Sequence, residues 1–557
     1  MLAASAGFLN SVKSSGMAAS QLSSTEVREE SSEDFPLPVK AIALAALVVA
    51  AFFFFWLWGY PVEDASMLFT YSENIAAGEG VVYNPGGEAV DGASDLLLAF
   101  VLAALRFIGL PVEMGAALVN AVSLGFIVFA VFSVWKRTGF AGRWAAPGAV
   151  VLLLSSTPVF LLGATGFGTL FFAALVTLVA FLAVTLGSQP TLGSLAVVGG
   201  AVALAGMDRI EGFILGGAVV FAHSVATKSL RTLLVPAGIA LSLALVWFTW
   251  RWNYFGYPLP NPFYKKGGFN PGSVPVSIYY VSVLGAPWLL VLGVGVRTKG
   301  ARRHALSYVL LVVVPWPALW ILLSNEMNLG GRFQFPVVPV AAVLSAVVAA
   351  QLVAIEPKYG RMDGLRIAVV AVGLMAVIGA DLRLSEISVL RALRRAGFHE
   401  QLAEAFQTAT GGTATLVTTE AGMVAWKTDL QVTDLWGLND KRIAHDGILV
   451  PSEIAKLRPD LLFSHPGKLD SLAEGVSSTS EESWERMNAY LYCFAQANGF
   501  EPIAVWNLNG DWWVVHAAGD ASFTPALRQR LAEITLKAQR PDISATTLPS
   551  INDCPQR

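Results

Sequence analysis

Two adjacent carboxylates, Glu63 and Asp64, directly follow the first long apolar run of the chain. A carboxylate held at a membrane surface beside apolar walls is poorly solvated, so its affinity for a proton rises toward that of a general base. Residue type and position therefore predict acid–base chemistry at Asp64, with Glu63 as its auxiliary. The alternative is structural, because an aspartate here would also cap a helix that begins at Ala65.

Three short segments between apolar runs carry positive charge on the side opposite to that of the other basic loops, which a phosphate ligand would explain: 207–212, 251–266 and 328–336. The guanidinium group binds phosphate through two parallel hydrogen bonds, and the ammonium group acts as a point charge. Snorkelling of these long side chains to the membrane interface is the alternative, and it fits the two lysines better than Arg332. The candidate phosphate ligands are Arg209, Arg251, Lys265, Lys266 and Arg332.

The elements that position these residues are set by an apolar composition. Of the 557 residues, 55% are hydrophobic and only 14% are charged, which is typical of a chain that a bilayer solvates. The net charge of -3 comes without a concentrated basic face, so nucleic acid is excluded as a partner. Residues 1–40 are polar and lack a signal-peptide pattern, which predicts a disordered cytoplasmic tail.

Apolar runs near the length of a bilayer crossing recur through residues 41–382, which predicts a polytopic α-helical membrane domain. The shorter run at 95–110 contains Arg106, and we expect it to form an interfacial helix within a first loop at 61–112. The eleven expected spans are 41–60, 113–135, 145–163, 167–187, 191–207, 212–227, 232–250, 276–296, 305–324, 335–355 and 367–382.

Charge bias gives these spans an orientation. Four basic loops, near positions 136–143, 228–231, 297–303 and 358–366, fall on one side only when the chain has eleven spans. By the positive-inside rule that side is the cytoplasm. We therefore expect a multi-pass protein of the bacterial cytoplasmic membrane whose amino terminus is cytoplasmic and whose residues after Leu382 are extracytoplasmic.

Residues 383–557 have the composition of a soluble α/β domain. Strand-like runs alternate with polar helical stretches, which predicts a mixed or parallel sheet with covering helices. The expected strands are Ala414–Thr418, Leu430–Leu435, Asp460–Ser464, Pro502–Trp506 and Trp512–His516. Both cysteines, Cys493 and Cys554, lie in this domain, which we expect to be extracytoplasmic and therefore in an oxidising compartment. We expect the two residues to form a disulfide.

Metal binding has no sequence motif in this chain. The cysteines show no zinc-site spacing, and the six histidines are dispersed, which favours surface or core positions for them. Glu63 is nevertheless a candidate ligand, so the sequence leaves a divalent metal ion open as a cofactor.

Several motifs, in their order and spacing along most of the chain, resemble the GT-C superfamily of membrane glycosyltransferases. Within it they are similar to the bacterial branch that includes the mycobacterial terminal β-(1→2) arabinofuranosyltransferase. The resembling residues are Glu63 to Ala65 with Phe69, Tyr71 and Asn74; Gly78, Gly80 and Val82 to Gly86; Tyr254 to Gly256, Leu259 to Asn261, Phe263, Tyr264 and Lys266; Gly331 to Phe333, Pro336 and Pro339; Glu420 to Gly422; and Asp434 to Asp440 with Ile443 and Ala444.

The resemblance implies an inverting glycosyltransferase. Its donor would be a polyprenyl-phosphate sugar, either a pentose such as arabinofuranose or a hexose, and its acceptor a hydroxyl of a cell-envelope glycan or lipid. Asp64 would be the catalytic base, and the basic residues above would bind the donor phosphate. The implied substrate-binding residues are Tyr71, Asn74, Tyr83, Asn84, Glu211, Asn261 and Tyr264.

Three positions depart from the family pattern. Relatives have Glu where this chain has Gly168, proline where it has Ile210, and proline where it has Asp95. The missing carboxylate at position 168 supports an alternative function, namely a non-catalytic transporter or binding subunit for lipid-linked sugars, or a structural component of a membrane complex. The fold expected for either function is the same.

Overall fold

The structure is a computed structural model of the whole chain. It describes residues 61–138, 162–187, 189–265, 273–323, 328, 331–355, 397–467, 484–508, 510–536 and 540–542, with a few positions between 44 and 56. Helices make up the first part of this range, and a mixed sheet with helices makes up the second part.

The first part is built from apolar helices. Small residues let these helices approach closely, since a Cβ on Gly199 would stand 2.6 Å from the carbonyl oxygen of Pro236 in a facing helix. The helix bounds are Glu63–Ala77, Leu96–Phe107, Val112–Trp135, Thr169–Thr185, Leu192–Asp208, Glu211–Thr227, Arg231–Phe255, Asn261–Lys265, Ser273–Arg297, Arg302–Tyr308, Pro315–Leu322 and Val337–Ile355.

Three of the described helices are long and apolar enough to cross a membrane, by length and composition: Val112–Trp135, Arg231–Phe255 and Val337–Ile355. Shorter apolar helices cover the predicted spans at 167–187, 191–207 and 212–227. The predicted spans at 41–60, 145–163 and 367–382 fall largely or wholly outside the described residues. The described residues thus contain helices fit to cross a membrane, as expected, and the number eleven stays a prediction.

The predicted span at 305–324 is not a single regular helix. A π-helical turn, Val309–Val313, separates Arg302–Tyr308 from Pro315–Leu322. Proline has no backbone N–H, so Pro315 cannot continue the α-helical hydrogen-bond ladder, and Val314 instead donates its N–H to the carbonyl of Val309 at 2.9 Å. The prolines of this segment therefore explain the irregular turn.

The segment expected to lie along the membrane surface forms the 12-residue helix Leu96–Phe107. Its Leu98 and Leu102 side chains are buried, whereas Phe107 is 80% exposed. The helical structure and the short length of this segment agree with the prediction. Its location at a membrane surface stays a prediction.

The second part contains a five-stranded mixed sheet in the order β2-β1-β3-β5-β4. Strand β1 pairs in parallel with β2 and β3, while β5 pairs antiparallel with β3 and β4. All five strands lie where the apolar runs predicted them. Their bounds are Thr415–Thr418 (β1), Gln431–Asp434 (β2), Leu461–Gly467 (β3), Phe500–Leu508 (β4) and Asp511–Ala518 (β5).

Helices cover both faces of this sheet and complete two cores. The principal core buries Phe406, Phe463 and Trp513, and a second one buries Val417 and Phe494. The helices comprise residues 397–410, Met423–Lys427, Lys441–Asp446, Pro451–Ile454, Trp484–Ala497 and Thr524–Leu531, with a 3-10 turn at Ala455–Leu457.

Cys493 is buried in helix Trp484–Ala497 and is not a free thiol. Its expected partner, Cys554, lies outside the described residues. The pairing of these two residues therefore stays a prediction.

Candidate functional site

Glu63 and Asp64 open the helix Glu63–Ala77, which we call the loop helix. Its N-cap is Val62, whose backbone N–H donates to the carbonyl of Thr165 at 3.0 Å, and the cap makes no side-chain hydrogen bond. The expectation that Asp64 caps a helix beginning at Ala65 is therefore wrong, because Asp64 already lies inside the first turn. Both carboxylates lie in the first turn, near the positive end of the helix dipole.

Successive residues of a helix point about 100° apart, and the two carboxylates diverge accordingly. Asp64 lines a cavity of about 140 Å³, whereas Glu63 turns toward the sheet domain. The cavity is lined by Asp64, Ala65, Met67, Leu68, Gly92, Ala93, Ser94, Asp95, Gly166, Phe167, Gly168, Arg209, Ile210, Glu211, Pro260, Pro262, Phe263, Trp320, Leu323, Arg332, Phe333 and Leu438.

Arg332 shares this cavity with Asp64, and its Nη2 lies 3.8 Å from Asp64 Oδ2. The guanidinium carbon sits 4.0 Å from the ring centre of Phe167 and 4.8 Å from that of Phe333. Burial lowers the pKa of Arg332 to about 10, against the opposing effect of Asp64, so the group stays cationic at neutral pH. Its buried Nε has no hydrogen-bond partner among the described residues, which leaves a donor for an anion.

Arg209 also lines the cavity, but its charge is already compensated. Its Nη1 lies 3.1 Å from Asp95 Oδ1, and its Nη2 lies 3.6 Å from Glu211 Oε1. The side chain is about nine-tenths buried. Of the predicted phosphate ligands, Arg332 and Arg209 thus come together, and Arg332 carries the weaker counterion contact.

Asp95 supplies the carboxylate that the sequence lacks at position 168. A Cβ built on Gly168 would stand 2.6 Å from Asp95 Oδ2 and 2.7 Å from Leu98 Cδ2. Asp95 and Gly168 are two of the three positions where this chain departs from the pattern of the family that it resembles, and they are neighbours in space. The cavity therefore keeps a carboxylate at that wall, one that comes from the first loop.

Arg251 and Lys265 are placed elsewhere and do not line this cavity. Arg251 forms a short ion pair with Asp91, and both side chains are almost fully buried. Burial raises the pKa of Asp91 to about 6, although Arg251 opposes the shift. Lys265 is buried with its Nζ 5.4 Å from the ring centre of Trp436. The expected convergence of these two residues with Arg332 is not seen here, and Lys266 lies outside the described residues.

The predicted substrate-binding residues of the first loop hold the sheet domain in place. Asn84 donates through Nδ2 to the carbonyl of Val432 and accepts its N–H through Oδ1, both at 2.9 Å. The Tyr71 hydroxyl donates to Asn439 Oδ1 at 3.1 Å, and the Tyr83 hydroxyl donates to the carbonyl of Ala421. These side chains are committed to a domain contact and do not line the cavity.

The remaining predicted substrate ligands show the same pattern with one exception. Asn74 donates to the carbonyls of Val82 and Tyr83 at 2.9 and 3.1 Å, which fixes the loop after its helix. Asn261 donates to the carbonyl of Leu438 at 3.2 Å, and the Tyr264 ring lies 4.4 Å from that of His445. Only Glu211 lines the cavity.

A second polar cluster lies where the loop helix meets the sheet domain. Glu63 Oε2 is 3.3 Å from His399 Nδ1, and His399 Nε2 is 4.0 Å from Glu420 Oε2. Burial raises the pKa of Glu63 to about 8, with a further contribution from Glu420. A carboxylate oxygen of Glu63, a ring nitrogen of His399 and a carboxylate oxygen of Glu420 lie within 4.8 Å of one another. These residues are therefore able to hold a metal ion.

The cluster continues through His465. Its Nδ1 lies 2.8 Å from Glu420 Oε1 and its Nε2 lies 2.7 Å from Asp511 Oδ1. Burial lowers the pKa of His465, but Glu420 and Asp511 outweigh it and raise the value to about 9. No sequence motif marks this cluster, because its two histidines are far apart along the chain.

Comparisons with known proteins bear on the fold of this site. Residues 387–522 match a family model described as a domain of unknown function (DUF8728), and no curated protein matches the chain. A structure of ArnT from Cupriavidus metallidurans bound to undecaprenyl phosphate aligns with 14% identity, a TM-score of 0.51, and coverage of 87% of this chain and 98% of ArnT. A structure of ArnT from the same organism in the apo state aligns with 14% identity, a TM-score of 0.52, and coverage of 86% of this chain and 97% of ArnT.

The chain shares the fold of ArnT. ArnT is a GT-C glycosyltransferase, so the expected GT-C type of fold is confirmed. The likeness does not extend to the arabinofuranosyltransferase branch. At 14% identity it shows the fold alone.

Proposed function

We propose that this protein is a membrane glycosyltransferase of the GT-C type. It moves a sugar from a polyprenyl-phosphate donor to a hydroxyl of a cell-envelope glycan or lipid, with inversion at the anomeric carbon. The observation that carries the proposal is the 3.8 Å contact between Asp64 and Arg332 on the wall of one cavity. A base and a phosphate ligand are the two groups that such a transfer needs.

Asp64 is the catalytic base of this proposal. Its carboxylate takes the proton of the acceptor hydroxyl as the hydroxyl oxygen attacks the anomeric carbon. The bond between that carbon and the phosphate oxygen breaks, and the electron pair leaves with the polyprenyl phosphate. The Arg332 guanidinium is the counterion that the structure places nearest to this carboxylate, at 3.8 Å.

Arg332 stabilises the leaving phosphate. Its Nε, which has no hydrogen-bond partner among the described residues, and its cationic charge point to an anion. The rings of Phe167 and Phe333 hold the guanidinium in place. Apolar walls from Trp320 and Leu323 exclude water, which strengthens the attraction between the cation and the phosphate. The bound undecaprenyl phosphate in ArnT supports a lipid of this class.

The topology inferred from charge bias completes the proposal. The amino terminus is cytoplasmic, and the cavity, the first loop 61–112 and the domain 383–557 are extracytoplasmic. The membrane domain comprises 41–382 after a tail at 1–40. A pentose such as arabinofuranose, or a hexose, is the transferred sugar.

Transfer by purified protein from synthetic polyprenyl-phosphate sugars tests the function. The donors are a pentose and a hexose series, the acceptors are short envelope-type glycans, and mass spectrometry reads the product. Product from at least one donor, with inverted configuration by NMR, is the expected result. Mass spectrometry of lipid that co-purifies with the protein identifies the donor class.

Absence of transfer from every donor, with lipid-linked sugar still bound, would instead support the non-catalytic alternative. Its main support in the sequence was the missing carboxylate at Gly168. Asp95 provides a carboxylate there, so the structure favours the enzyme.

A further inference from the structure

The loop helix and the sheet domain meet at Glu63, His399 and Glu420. Glu63 lies in the first turn of the loop helix, His399 in helical residues 397–410, and Glu420 in the loop after β1. The side chains of Glu63, His399 and Glu420 are buried, with exposed fractions of 10%, 2% and 14%. Two carboxylates and an imidazole from separate elements thus converge in a nearly dry place.

One oxygen of this cluster lacks a hydrogen-bond partner within the described part of the chain. Glu63 Oε1 accepts the backbone N–H of Gly422 at 2.6 Å, but the buried Oε2 accepts no hydrogen bond among the described residues. It points instead toward the space between His399 and Glu420. A buried carboxylate oxygen left in this way costs free energy unless a cation or proton occupies that space.

We infer that Glu63, His399 and Glu420 bind a first-row divalent metal ion that fastens the sheet domain to the loop helix. One imidazole and two carboxylates are the ligands of zinc and manganese sites, whereas magnesium and calcium take oxygen ligands only. Metal–ligand bonds of about 2.0–2.2 Å place ligand atoms roughly 3.4 Å apart. The present separations, all within 4.8 Å, need only a small contraction.

The surroundings of the cluster match those of a metal site. A ligating carboxylate is usually oriented by a second hydrogen bond from outside the site. Glu420 has this arrangement, since its Oε1 lies 2.8 Å from His465 Nδ1, and His465 is in turn held by Asp511 at 2.7 Å. A bound cation would also lie between the two like-charged carboxylates of Glu63 and Glu420, which converge here with His399.

The ion has a positional role for the proposed reaction. Glu63 adjoins Asp64, and the same turn of the loop helix carries both. A metal that fixes Glu63 to the sheet domain therefore fixes the direction in which Asp64 enters the cavity. This role rests on the proposed function, whereas metal binding itself does not.

Metal content of the full-length protein tests the inference. The protein is purified in detergent, its affinity tag removed, stripped with chelator, and dialysed against Zn²⁺, Mn²⁺ or Mg²⁺. Mass spectrometry of the metals should show about one Zn²⁺ or Mn²⁺ per chain after dialysis, together with a raised midpoint of thermal unfolding. Mg²⁺ should bind at least roughly tenfold more weakly than either ion.

Variants locate the site. His399→Gln and Glu420→Gln should each weaken Zn²⁺ binding by tenfold or more, and His465→Gln should weaken it less, as expected for a residue that orients a ligand. Glu501→Gln changes an exposed carboxylate of β4 and should bind as the wild type does. In chelator, the variants should unfold at the temperature of the metal-free wild type, which separates loss of a ligand from misfolding.

X-ray absorption of the zinc-loaded protein supplies an independent readout. Its first shell should contain one imidazole nitrogen and otherwise oxygen. A shell without imidazole, a wild type that stays metal-free, or His399→Gln and Glu420→Gln variants that bind as tightly as the wild type would each overturn the inference. None of these measurements uses sugar transfer, so they stand or fall separately from the proposed function.

Discussion

A side chain at position 168 would collide with Asp95, whose Oδ2 lies 2.6 Å from the place where a Cβ on Gly168 would stand. Asp95 also holds Arg209 at 3.1 Å. Gly168 and Asp95 are 73 positions apart in the chain, yet the residue type at each position depends on that at the other. Glycine at 168 makes room for a carboxylate at 95, and that carboxylate neutralises a buried arginine.

Gly168→Ala should therefore lower stability by about 1–3 kcal/mol, because the added methyl group displaces Asp95 and Leu98. Asp95→Ala should reduce the penalty of Gly168→Ala in the double variant, with a coupling of about 0.5 kcal/mol or more. Thermal unfolding in detergent measures all four proteins of the cycle. Gly217→Ala is the control, since a Cβ there meets nothing within 4 Å. Strict additivity would contradict the spatial link.

Arg332→Ala should weaken binding of a polyprenyl-phosphate probe by about 2 kcal/mol, or roughly thirtyfold, through loss of a charge-assisted contact. Arg332→Lys should fall between this variant and the wild type, because ammonium keeps the charge and loses the planar pair of donors. Fluorescence titration with a labelled lipid gives the affinities. Arg528→Ala, at an exposed arginine of the sheet domain, serves as control. Equal affinity of the wild type, Arg332→Ala and Arg332→Lys for the lipid would show that Arg332 does not bind the phosphate.

The sequence was sufficient for most of the local structure. Continuous apolar runs bounded by turns predicted β1 to β5. Asp64, which is predicted as a base because it follows an apolar run, lines the cavity. Both signals come from neighbouring residues. The π-helical turn before Pro315 was missed because a span was assigned from hydropathy, which does not register the lost N–H of proline.

Contacts between distant residues were beyond the sequence. Asn84 and Val432 are separated by 348 positions and Arg251 and Asp91 by 160. A polar residue near a candidate site looks the same in the sequence whether it binds substrate or a second domain. Tyr71, Tyr83 and Asn84 were therefore expected to bind substrate, although their hydrogen bonds are used for docking. The sequence likewise predicts only a surface or core position for His399, because Glu63 and His465 are distant from it along the chain.

The sheet domain should lose stability in acid through His516. This buried histidine of β5 has its pKa lowered by burial from 6.5 to about 4. The folded form binds fewer protons than the unfolded form between these values, so stability falls as pH drops from 6.5 to 4 and is unaffected above 6.5. The loss approaches about 3 kcal/mol.

Tryptophan fluorescence of thermal unfolding between pH 7.5 and 4 measures this loss. His516→Leu should show a shallower decline of the unfolding midpoint than the wild type over that range. Parallel declines in the two proteins would mean that other groups govern the acid sensitivity.

The loop near Gly300 should face the cytoplasm. Lys299→Cys, in a chain whose Cys493 and Cys554 are replaced by serine, should not react with an impermeant maleimide in intact cells, because the basic loops all lie inside. It should react after permeabilisation. Asp520→Cys in the sheet domain is the matched control and should react in intact cells. Labelling of Lys299→Cys without permeabilisation would reverse the topology.

Asp64→Asn should abolish most of the transfer activity. The amide keeps the size of the side chain but does not take up a proton, so the acceptor hydroxyl loses its base, and the rate should fall by ~10² or more. Stability should change little, because Asp64 is not the N-cap of its helix and its contact with Arg332 is long, at 3.8 Å. Affinity for the donor should persist or rise, since Arg332 keeps its charge and loses its counterion.

This combination distinguishes Asp64 from Glu63. If Glu63 ligates a metal and Asp64 is the base, Glu63→Gln should lower metal content and transfer together, whereas Asp64→Asn should lower transfer at unchanged metal content. Initial rates with saturating donor, donor affinity and metal content are measured on the same preparations. Near-normal transfer by Asp64→Asn would refute the mechanism. Loss of donor binding in that variant would instead assign Asp64 a structural role in holding Arg332.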